Sequence, residues 1–148
     1  MSHIMIVVSP YYDEVSKYLL AGAKDALAKA NATYEVFEVA GAFEIPMAIK
    51  LGHLRKETRG TDHPKFDGFV ALGCVVRGET AHYDIVSNES ARGLMQLSMD
   101  HDLLIGNGIL TCDTHDQAVV RADPEQKNKG ADAVSAVLSL LKLKRALY

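Results

Sequence analysis

The chain has 148 residues, of which 48% are hydrophobic and 24% are charged, with a formal net charge of −3. This is the composition of an ordinary globular protein, and a chain of this length buries roughly 70% of its unfolded surface. The acidic balance and the lack of a basic stripe argue against a nucleic-acid surface. No apolar run approaches the ~20 residues that span a membrane. We therefore expect a single domain over residues 1–148.

The cysteines and the N-terminus bear on the compartment. Cys74 and Cys112 are too few and too far apart for a disulfide framework or a four-ligand zinc site. The N-terminus runs directly into a strand-like segment, without the basic, apolar and cleavage-site pattern of a secretory signal. We therefore expect the protein to be located in the reducing environment of the cytoplasm.

The first part of the chain alternates between strand-like and helix-like patterns. The predicted elements are, in chain order, a strand over 4–8, a helix over 14–30, a strand over 32–39 and a helix over 43–54. The first strand is short and β-branched and stops at Pro10, whereas the first helix carries apolar residues at a helical spacing. Pro46 falls in the first turn of the second helix, where a proline is tolerated.

The alternation continues after a polar loop at residues 55–65. The later elements are a strand over 66–72, a helix over 84–99, a strand over 103–110, a short helix over 116–121 and a long helix over 131–147. Strands separated by helices predict a parallel sheet with helices on both faces and right-handed crossovers. The expected fold class is α/β, a three-layer sandwich with a four-stranded, flavodoxin-like parallel sheet flanked by helices on both faces.

The last predicted helix is apolar around most of its circumference. One stripe consists of Val134, Val137, Leu138 and Leu141, and the other of Ala133, Ala136, Leu140 and Leu143. Such a helix is buried on more than one side, which a small domain cannot easily achieve alone. We interpret the pattern as subunit packing, with a helix buried deep in the core of a monomer as the alternative.

The segment ALGCVVRGETAHYD at 71–84 carries the most chemical information. An apolar run ends at Gly73, and a polar loop with Arg77, Thr80 and His82 follows. In open α/β sheets, ligands bind where such a loop leaves a strand. The loop combines groups that can hold an anion with a histidine that can transfer protons near neutral pH. It therefore predicts a site for an anionic substrate and acid–base chemistry.

Five sequence blocks occur in chain order: GAFEIP at 41–46, ALGCVVRGETAHYD at 71–84, ARGLMQLS at 91–98, GILT at 108–111 and NKG at 128–130. Together they resemble the 6,7-dimethyl-8-ribityllumazine synthase family. The resemblance implies condensation of 5-amino-6-(D-ribitylamino)uracil with 3,4-dihydroxy-2-butanone 4-phosphate. This penultimate step of riboflavin biosynthesis gives 6,7-dimethyl-8-ribityllumazine, phosphate and water. The resemblance implies neither a metal nor an organic cofactor.

The same resemblance assigns the proton-transfer and phosphate positions. His82 matches the histidine that transfers protons. General acid–base catalysis of this kind typically accelerates a reaction by ~10²–10⁴-fold. Glu79 and Thr80 match loop positions whose backbone amides contact the phosphorylated substrate, near a helix start that suits an anion. Arg121 matches an arginine that grips the phosphate through its forked geometry, and Lys129 matches a nearby basic position. Arg77 is instead assigned to a structural ion pair.

A second set of positions is implied for the pyrimidine and ribityl groups: Tyr11, Ala42, Phe43, Glu44, Cys74, Val75, Val76 and Asn107. Stacking on Tyr11 would contribute ~1–3 kcal/mol, although SPYYD departs from the family pattern and leaves Tyr12 as an alternative. For Phe43, plain core packing is the alternative to ligand contact. Cys74 would act through its main chain and not as a nucleophile. Asn107 stands where some relatives carry a phenylalanine that a neighbouring subunit contributes.

The resemblance also bears on assembly and partners. The family forms pentamers with active sites between subunits, and shell-forming members carry an N-terminal extension, whereas about three residues precede the first strand in this chain. We predict a homopentamer acting on small-molecule substrates, with a decamer as an open alternative. Riboflavin synthase is an open candidate partner, and neither nucleic acid nor membrane is expected. Which subunit supplies Asn107, Arg121 and Lys129 stays open.

Three rival interpretations remain. The first is a non-catalytic flavin- or lumazine-binding paralogue of the same fold, which turnover of the two substrates would exclude. A purely structural shell protein is disfavoured by the intact RGETAHYD loop and by Arg121. A flavodoxin-like phosphosugar isomerase would need a carboxylate pair or an activated thiol, and it would leave GAFEIP unexplained.

Overall fold

A computed structural model gives the structure of the protein and describes residues 1–55 and 63–148. The strands in these ranges are β1 (His3–Val8), β2 (Thr33–Glu38), β3 (Gly68–Val76) and β4 (Ile105–Cys112). The helices are α1 (Asp13–Lys29), α2 (Ile45–His53), α3 (His82–His101), α4 (His115–Ala122) and α5 (Lys129–Leu147), and a 3₁₀ turn, Ala42–Glu44, precedes α2. All predicted strands and helices are found in the predicted order. Residues 56–62 of the predicted polar loop lie outside the described residues.

The four strands form one parallel sheet in the order β2-β1-β3-β4. Val8 lies opposite Glu38 on β2 and Leu72 on β3, and Val76 lies opposite Cys112 on β4. Because β1 and β3 are covered on both faces, they read as nearly continuous apolar runs. The predicted α/β sandwich with a flavodoxin-like parallel sheet is confirmed.

Side chains that alternate along the strands divide the core into two layers. On one face, Ile6 and Leu72 join a cluster with residues of α1 and α5. On the other face, Val7 and Ala71 pack with residues of α2 and α3. Helix α4 packs against α1 and β4 at the carboxyl end of the sheet. This arrangement leaves the loops after β1 and β3 at a single edge.

Strand β3 starts and ends later than predicted. Its backbone stays paired with β4 as far as Val76, and the Arg77 N–H extends this ladder by donating to Cys112 O at 2.9 Å. Gly73 lies inside the strand, where an added Cβ would meet Ile45 Cδ1 at 3.3 Å. The prediction that the strand ends before Gly73 was wrong because β4 supplies partners that a single-strand pattern does not reveal. Residues 74–76 therefore lie on rigid sheet.

Helix α5 is covered on one side only. Its buried residues include Ala133, Val134, Val137 and Leu141. Ala136, Leu140 and Leu143 of the second stripe are exposed on the single chain. The alternative of a helix buried deep in the core of a monomer is therefore wrong. Coverage of this outer stripe by another subunit stays a prediction.

Candidate active site

A cleft opens at the carboxyl ends of β1 and β3, where the strand order changes direction. The chain crosses from β1 to β2 on one side and returns to β3 on the other, so the loops after β1 and β3 diverge and leave a crevice. This carboxyl-edge cleft has a volume of about 580 Å³. The predicted site residues that line it are Tyr11, Ala42, Phe43, Glu44, Cys74, Val75, Val76, Thr80 and His82.

The end of β3 forms the floor of the carboxyl-edge cleft. Pairing between β1 and β3 stops at Val8 and Leu72, whereas β3 and β4 stay paired as far as Val76. On the side facing β1, the backbone of residues 74–76 therefore has no strand partner in the described part of the chain. Unpaired backbone groups beside apolar side chains can bind the polar edge of a flat heterocycle.

Two tyrosines that follow β1 form one wall of the cleft. Tyr11 is 73% exposed, and its ring makes an edge contact with the Tyr12 ring, with 5.0 Å between the ring centroids. Tyr12 packs against the core, and its burial, together with Cys74 and Tyr11 nearby, raises the pKa of its hydroxyl. Tyr11 therefore presents the freer ring face, which favours it over Tyr12 as a stacking platform.

The segment before α2 forms the opposite wall. Gly41 has an extended backbone, the 3₁₀ turn Ala42–Glu44 follows, and Pro46 lies in the first turn of α2 as predicted. Ala42 is buried, whereas the Phe43 side chain is 56% exposed. Core packing therefore does not account for Phe43. The Glu44 carboxylate lines the cleft, where it can accept hydrogen bonds from hydroxyl groups.

His82 is the first residue of α3 and is exposed at the rim of the cleft. No side chain caps this helix end, and the His82 N–H makes only a long contact of 3.4 Å with Thr80 Oγ1. The free N–H groups of a first helical turn attract anions. The arrangement combines an exposed imidazole with an anion-binding helix terminus.

Burial determines the chemistry of the two cysteines. Burial, with a contribution from Cys112, raises the Cys74 pKa to about 12, and burial also raises the Cys112 pKa. Both thiols are therefore protonated at neutral pH. A nucleophile must be a thiolate, so neither cysteine suits covalent catalysis.

Arg77 forms the predicted structural ion pair. Its Nε donates to Asp113 Oδ1 at 2.8 Å, and its Nη1 lies 3.6 Å from Asp84 Oδ1. Asp113 and, more weakly, Asp84 contribute to a raised Arg77 pKa, with the Asp113 hydrogen bond as the largest cause. The prediction is confirmed, and a second carboxylate was not foreseen.

Two of the predicted site residues, Glu79 in the loop after β3 and Asn107 on β4, are not among the residues that line the cleft. The Glu79 side chain is exposed, although its neighbours Gly78 and Thr80 line the cleft. Asn107 lies on edge strand β4 opposite Ala71, three residues before Cys74, which is roughly 10 Å along the strand. Its Oδ1 accepts a hydrogen bond from the Ile109 N–H at 2.9 Å.

Two predicted phosphate-binding cations also lie outside the cleft of the same chain. Arg121, in the last turn of α4, donates from Nη1 to Gln117 O at 3.1 Å and forms no ion pair with a described carboxylate. Lys129, the first residue of α5, pairs with Asp132 at 3.2 Å. A single chain therefore assembles the floor, the aromatic wall and the histidine, but not these two cations.

Gly78, Tyr83 and Val86 also line the cleft, although none of them was predicted as a site residue. Gly78 and Tyr83 belong to the RGETAHYD motif itself, and Val86 follows it by two residues. Exposed apolar side chains also extend from the cleft over α2 and α3. They are Met47, Leu51, Ile85, Met95 and Met99, each more than half exposed. The mixed pattern of α3 conceals them, because only Val86, Ser90, Leu94 and Leu97 are buried on that helix.

A second cleft, the amino-edge cleft, lies at the opposite edge of the sheet and also measures about 580 Å³. It is lined by residues before β3 and β4 and by the last turns of α3 and α5, including His101, Lys144 and Arg145. Helix C-termini attract cationic side chains, so these basic residues are accounted for without a ligand.

None of the helices in residues 1–55 and 63–148 combines the length and apolar character that a bilayer-crossing segment needs. The same ranges contain no group of three or more His, Cys, Asp or Glu side chains arranged to hold a metal ion.

The fold and the cleft define a flavodoxin-like α/β protein with a ligand site at the carboxyl edge of its sheet. The family model described as 6,7-dimethyl-8-ribityllumazine synthase matches residues 1–145. The chain belongs to the 6,7-dimethyl-8-ribityllumazine synthase family.

Named relatives agree with this assignment. A protein of that name from Methylocella silvestris is 51% identical over 139 residues, 94% of this chain and 83% of the relative. The Agrobacterium fabrum protein is 49% identical, covering 98% of this chain and 96% of the relative. The Zymomonas mobilis protein is 48% identical over 99% of both chains. The predicted transferase activity in riboflavin biosynthesis is confirmed, and none of these names supports the non-catalytic alternative.

Proposed function

We propose that the carboxyl-edge cleft is where the protein condenses 5-amino-6-(D-ribitylamino)uracil with 3,4-dihydroxy-2-butanone 4-phosphate. The amine adds to the ketone and water leaves to give an imine. Phosphate then leaves by elimination, and ring closure releases a second water. The observation that carries the proposal is the position of His82, which borders a cleft with an exposed aromatic ring and unpaired strand backbone.

His82 is the proposed proton-transfer group. Carbinolamine formation, imine formation, elimination and ring closure each move a proton, and one imidazole can both accept and donate near neutral pH. Its exposure at the start of α3 supports this role, because the ring can reach a substrate in the cleft.

The pyrimidine substrate is proposed to bind along the floor of the cleft. Tyr11 stacks on the heterocycle, while the backbone of Cys74, Val75 and Val76 hydrogen-bonds its polar edge. The segment Ala42–Glu44 contacts the ribityl chain, with the Glu44 carboxylate accepting from its hydroxyls. The exposed Tyr11 ring and the free edge of β3 support this orientation.

The phosphate is proposed to bind at the uncapped start of α3. Thr80 and the backbone of Glu79 contribute from the loop, in keeping with an anion at a helix N-terminus. Arg121 and Lys129 would then reach this phosphate from a neighbouring subunit, and Asn107 would approach the pyrimidine from the same neighbour. This is supported by their separation from the cleft of their own chain.

A homopentamer is the proposed assembly, with pairing into a decamer left open. The exposed apolar side chains of α2 and α3, which continue from Phe43, support self-association because such patches are uncommon on monomers. A cyclic assembly brings the same two surfaces together at each interface. Light scattering should give about 80 kDa, or five chains of 16.1 kDa. A mass of 16.1 kDa, or a mass near that of sixty subunits, would contradict the proposal.

The proposed setting is the cytoplasm, with residues 1–148 acting as one domain. The product is a lumazine, so riboflavin synthase is the enzyme proposed to consume it. Co-sedimentation of the two purified proteins tests for a physical complex, and independent sedimentation would leave only a metabolic connection.

Turnover of the two substrates by the purified protein tests the proposed function. Lumazine formation is followed by absorbance, and phosphate release is measured in parallel. We expect one phosphate for each lumazine formed. Binding of lumazine without turnover would instead support the non-catalytic paralogue.

A further inference from the structure

Arg77 contacts separate segments of the chain at the carboxyl edge of the sheet. Its guanidinium pairs with Asp113, between β4 and α4, and with Asp84, in the first turn of α3. The guanidinium carbon also lies 4.3 Å from the centroid of the Tyr83 ring, which lines the carboxyl-edge cleft. One side chain therefore joins the start of α3 to the segment that leads into α4.

The Asp113 end of this connection continues into α4. The N–H groups of Asp113 and Thr114 donate to Gln117 Oε1 at 2.9 and 3.3 Å. The Gln117 N–H donates to Thr114 Oγ1 at 3.2 Å, which completes a capping box. Arg121 then donates from Nη1 to Gln117 O at 3.1 Å. Contacts therefore run without a break from the first turn of α3 to Arg121.

We infer that Arg77 is a positioning residue, which holds the start of α3, and with it the His82 of its own cleft, against the segment that leads into α4, whose Arg121 is proposed to act in a neighbouring subunit's cleft. This inference rests on the roles proposed above for His82 and Arg121. Arg77 is not among the side chains that line the carboxyl-edge cleft. The forked guanidinium can bind two carboxylates and stack on a ring at once, which an ammonium cannot do.

Arg77 has a second effect through its charge. Asp84 lies in the first turn of α3, beside the helix end proposed to bind phosphate. An uncompensated carboxylate there would repel the anion. The Arg77 cation offsets this charge, so geometry and charge are separable contributions of one side chain.

Arg77→Ala and Arg77→Lys separate these contributions. Arg77→Ala should lower kcat by about 10- to 100-fold, the range expected when reacting groups shift by ~1 Å, and should raise KM for the phosphorylated substrate. Arg77→Lys keeps the charge but loses the fork, so it should restore KM and leave kcat low. Full recovery of kcat in Arg77→Lys, or unchanged kcat in Arg77→Ala, would overturn the inference.

Controls distinguish positioning from stability. Lys29→Ala removes a comparable exposed ion pair with Asp25 at the far end of α1 and should leave kcat and KM unchanged. Asp113→Ala removes the acceptor of the Arg77 Nε hydrogen bond while leaving Arg77 in place, so it tests the inference even if Arg77→Ala fails to fold. We expect a severalfold loss of kcat in Asp113→Ala, measured below the melting transition, and unchanged kcat would count against the inference.

Turnover by the wild-type protein shows whether a negative result contradicts this inference or the proposed function. If the wild type does not turn over the two substrates, the proposed function fails first. If the wild type is active and both Arg77→Ala and Asp113→Ala match its kcat, only the positioning role is lost. Combining the two substitutions should give no more loss than Arg77→Ala alone, because both break one connection.

Discussion

The two edges of the sheet carry clefts of equal volume, about 580 Å³, but of different chemistry. At the carboxyl edge, α1, α3 and α4 begin, so the positive ends of their dipoles face the loops, and the uncapped start of α3 adds free N–H groups. At the amino edge, α3 and α5 end in His101, Lys144 and Arg145, which offset the negative ends of the helices. Cleft volume therefore does not identify the active site, whereas the direction of the helices favours anionic substrates at the carboxyl edge.

The two edges also differ in what their side-chain contacts connect. Near the amino edge, Glu35 accepts from the His3 ring at 2.8 Å and pairs with Lys65 at 3.0 Å, and the His3 ring stacks on Phe66. These contacts join strand starts to each other. The Arg77 contacts at the carboxyl edge join loops and helix starts around reacting groups. We expect substitutions at the amino edge to change stability and those at the carboxyl edge to change activity.

The largest expected contrast is between two histidines at opposite ends of α3. His82→Ala should lower kcat by about 10²–10⁴-fold because it removes the proton-transfer group. His101→Ala, at the amino-edge cleft, should retain wild-type kcat. Lumazine absorbance measures both, and mass photometry checks that assembly is unchanged. If His82→Ala kept its activity, the proton transfers would have to be assigned to water or to the substrate phosphate.

Two arginines give the next contrast. Arg121→Ala should raise KM for the phosphorylated substrate by about 10- to 150-fold, which corresponds to the ~1.5–3 kcal/mol of a hydrogen bond to a charged group. KM for the pyrimidine should not change. Arg145 donates to Ser2 Oγ at 2.8 Å near the amino edge, and Arg145→Ala should leave both KM values unchanged. If both variants raised KM for the phosphorylated substrate equally, phosphate binding could no longer be assigned to Arg121.

Two tyrosines give a smaller contrast. Tyr11→Leu keeps an apolar side chain but removes the ring, so KM for the pyrimidine should rise by about fivefold or more, the lower end of the ~1–3 kcal/mol range for stacking. Tyr148, which is fully exposed at the amino-edge cleft, provides the matched variant Tyr148→Leu with no expected change. A larger effect in Tyr12→Leu than in Tyr11→Leu, with the fold intact, would move the stacking role to Tyr12.

The smallest effect is expected at Glu35. Hydrogen bonds from His3 and Lys65 hold the Glu35 pKa below its usual value of 4.5, so its stabilisation is fully present above pH 4.5 and is lost as pH falls through the lowered folded-state pKa. Glu35→Gln should lower stability at pH 7 by about 1 kcal/mol or less, without changing turnover. The difference in Tm between the two proteins should narrow as the pH falls below 4.5 and close once the pH is below the lowered folded-state pKa of Glu35. A difference that persists there would indicate that packing, not charge, accounts for the effect.

The sequence predicted much of the fold because local patterns are direct consequences of local geometry. Pro46 in a first helical turn and the four-residue spacing in α1 both correspond to observed elements. The end of β3 was mispredicted, because pairing with β4 through Val76 depends on a strand about 35 residues away. The outer stripe of α5 was identified from its pattern, but its exposure on the single chain depends on how the helix rests on the sheet.

The candidate site likewise has some features that local sequence predicts and others that depend on tertiary contacts. The RGETAHYD loop and GAFEIP are contiguous motifs whose chemistry and family resemblance can be read directly, and they supplied His82, Thr80 and Glu44. The contacts of Arg77 with Asp84 and Asp113 could not be derived, because a side chain with five donors has many candidate acceptors until the loops are folded. Nor could the sequence show that Asn107, Arg121 and Lys129 lie away from the cleft of their own chain.

The amino-acid sequence by itself determined the order of strands and helices, the family and the reaction, because these depend on periodicity and on short motifs that keep their chemistry wherever they lie. Only the tertiary structure decided which residues meet at the carboxyl edge, where β3 leaves its backbone unpaired and how Arg77 connects α3 to α4. Those features depend on which strands are neighbours, and strand order is a property of the packed sheet that no local pattern contains.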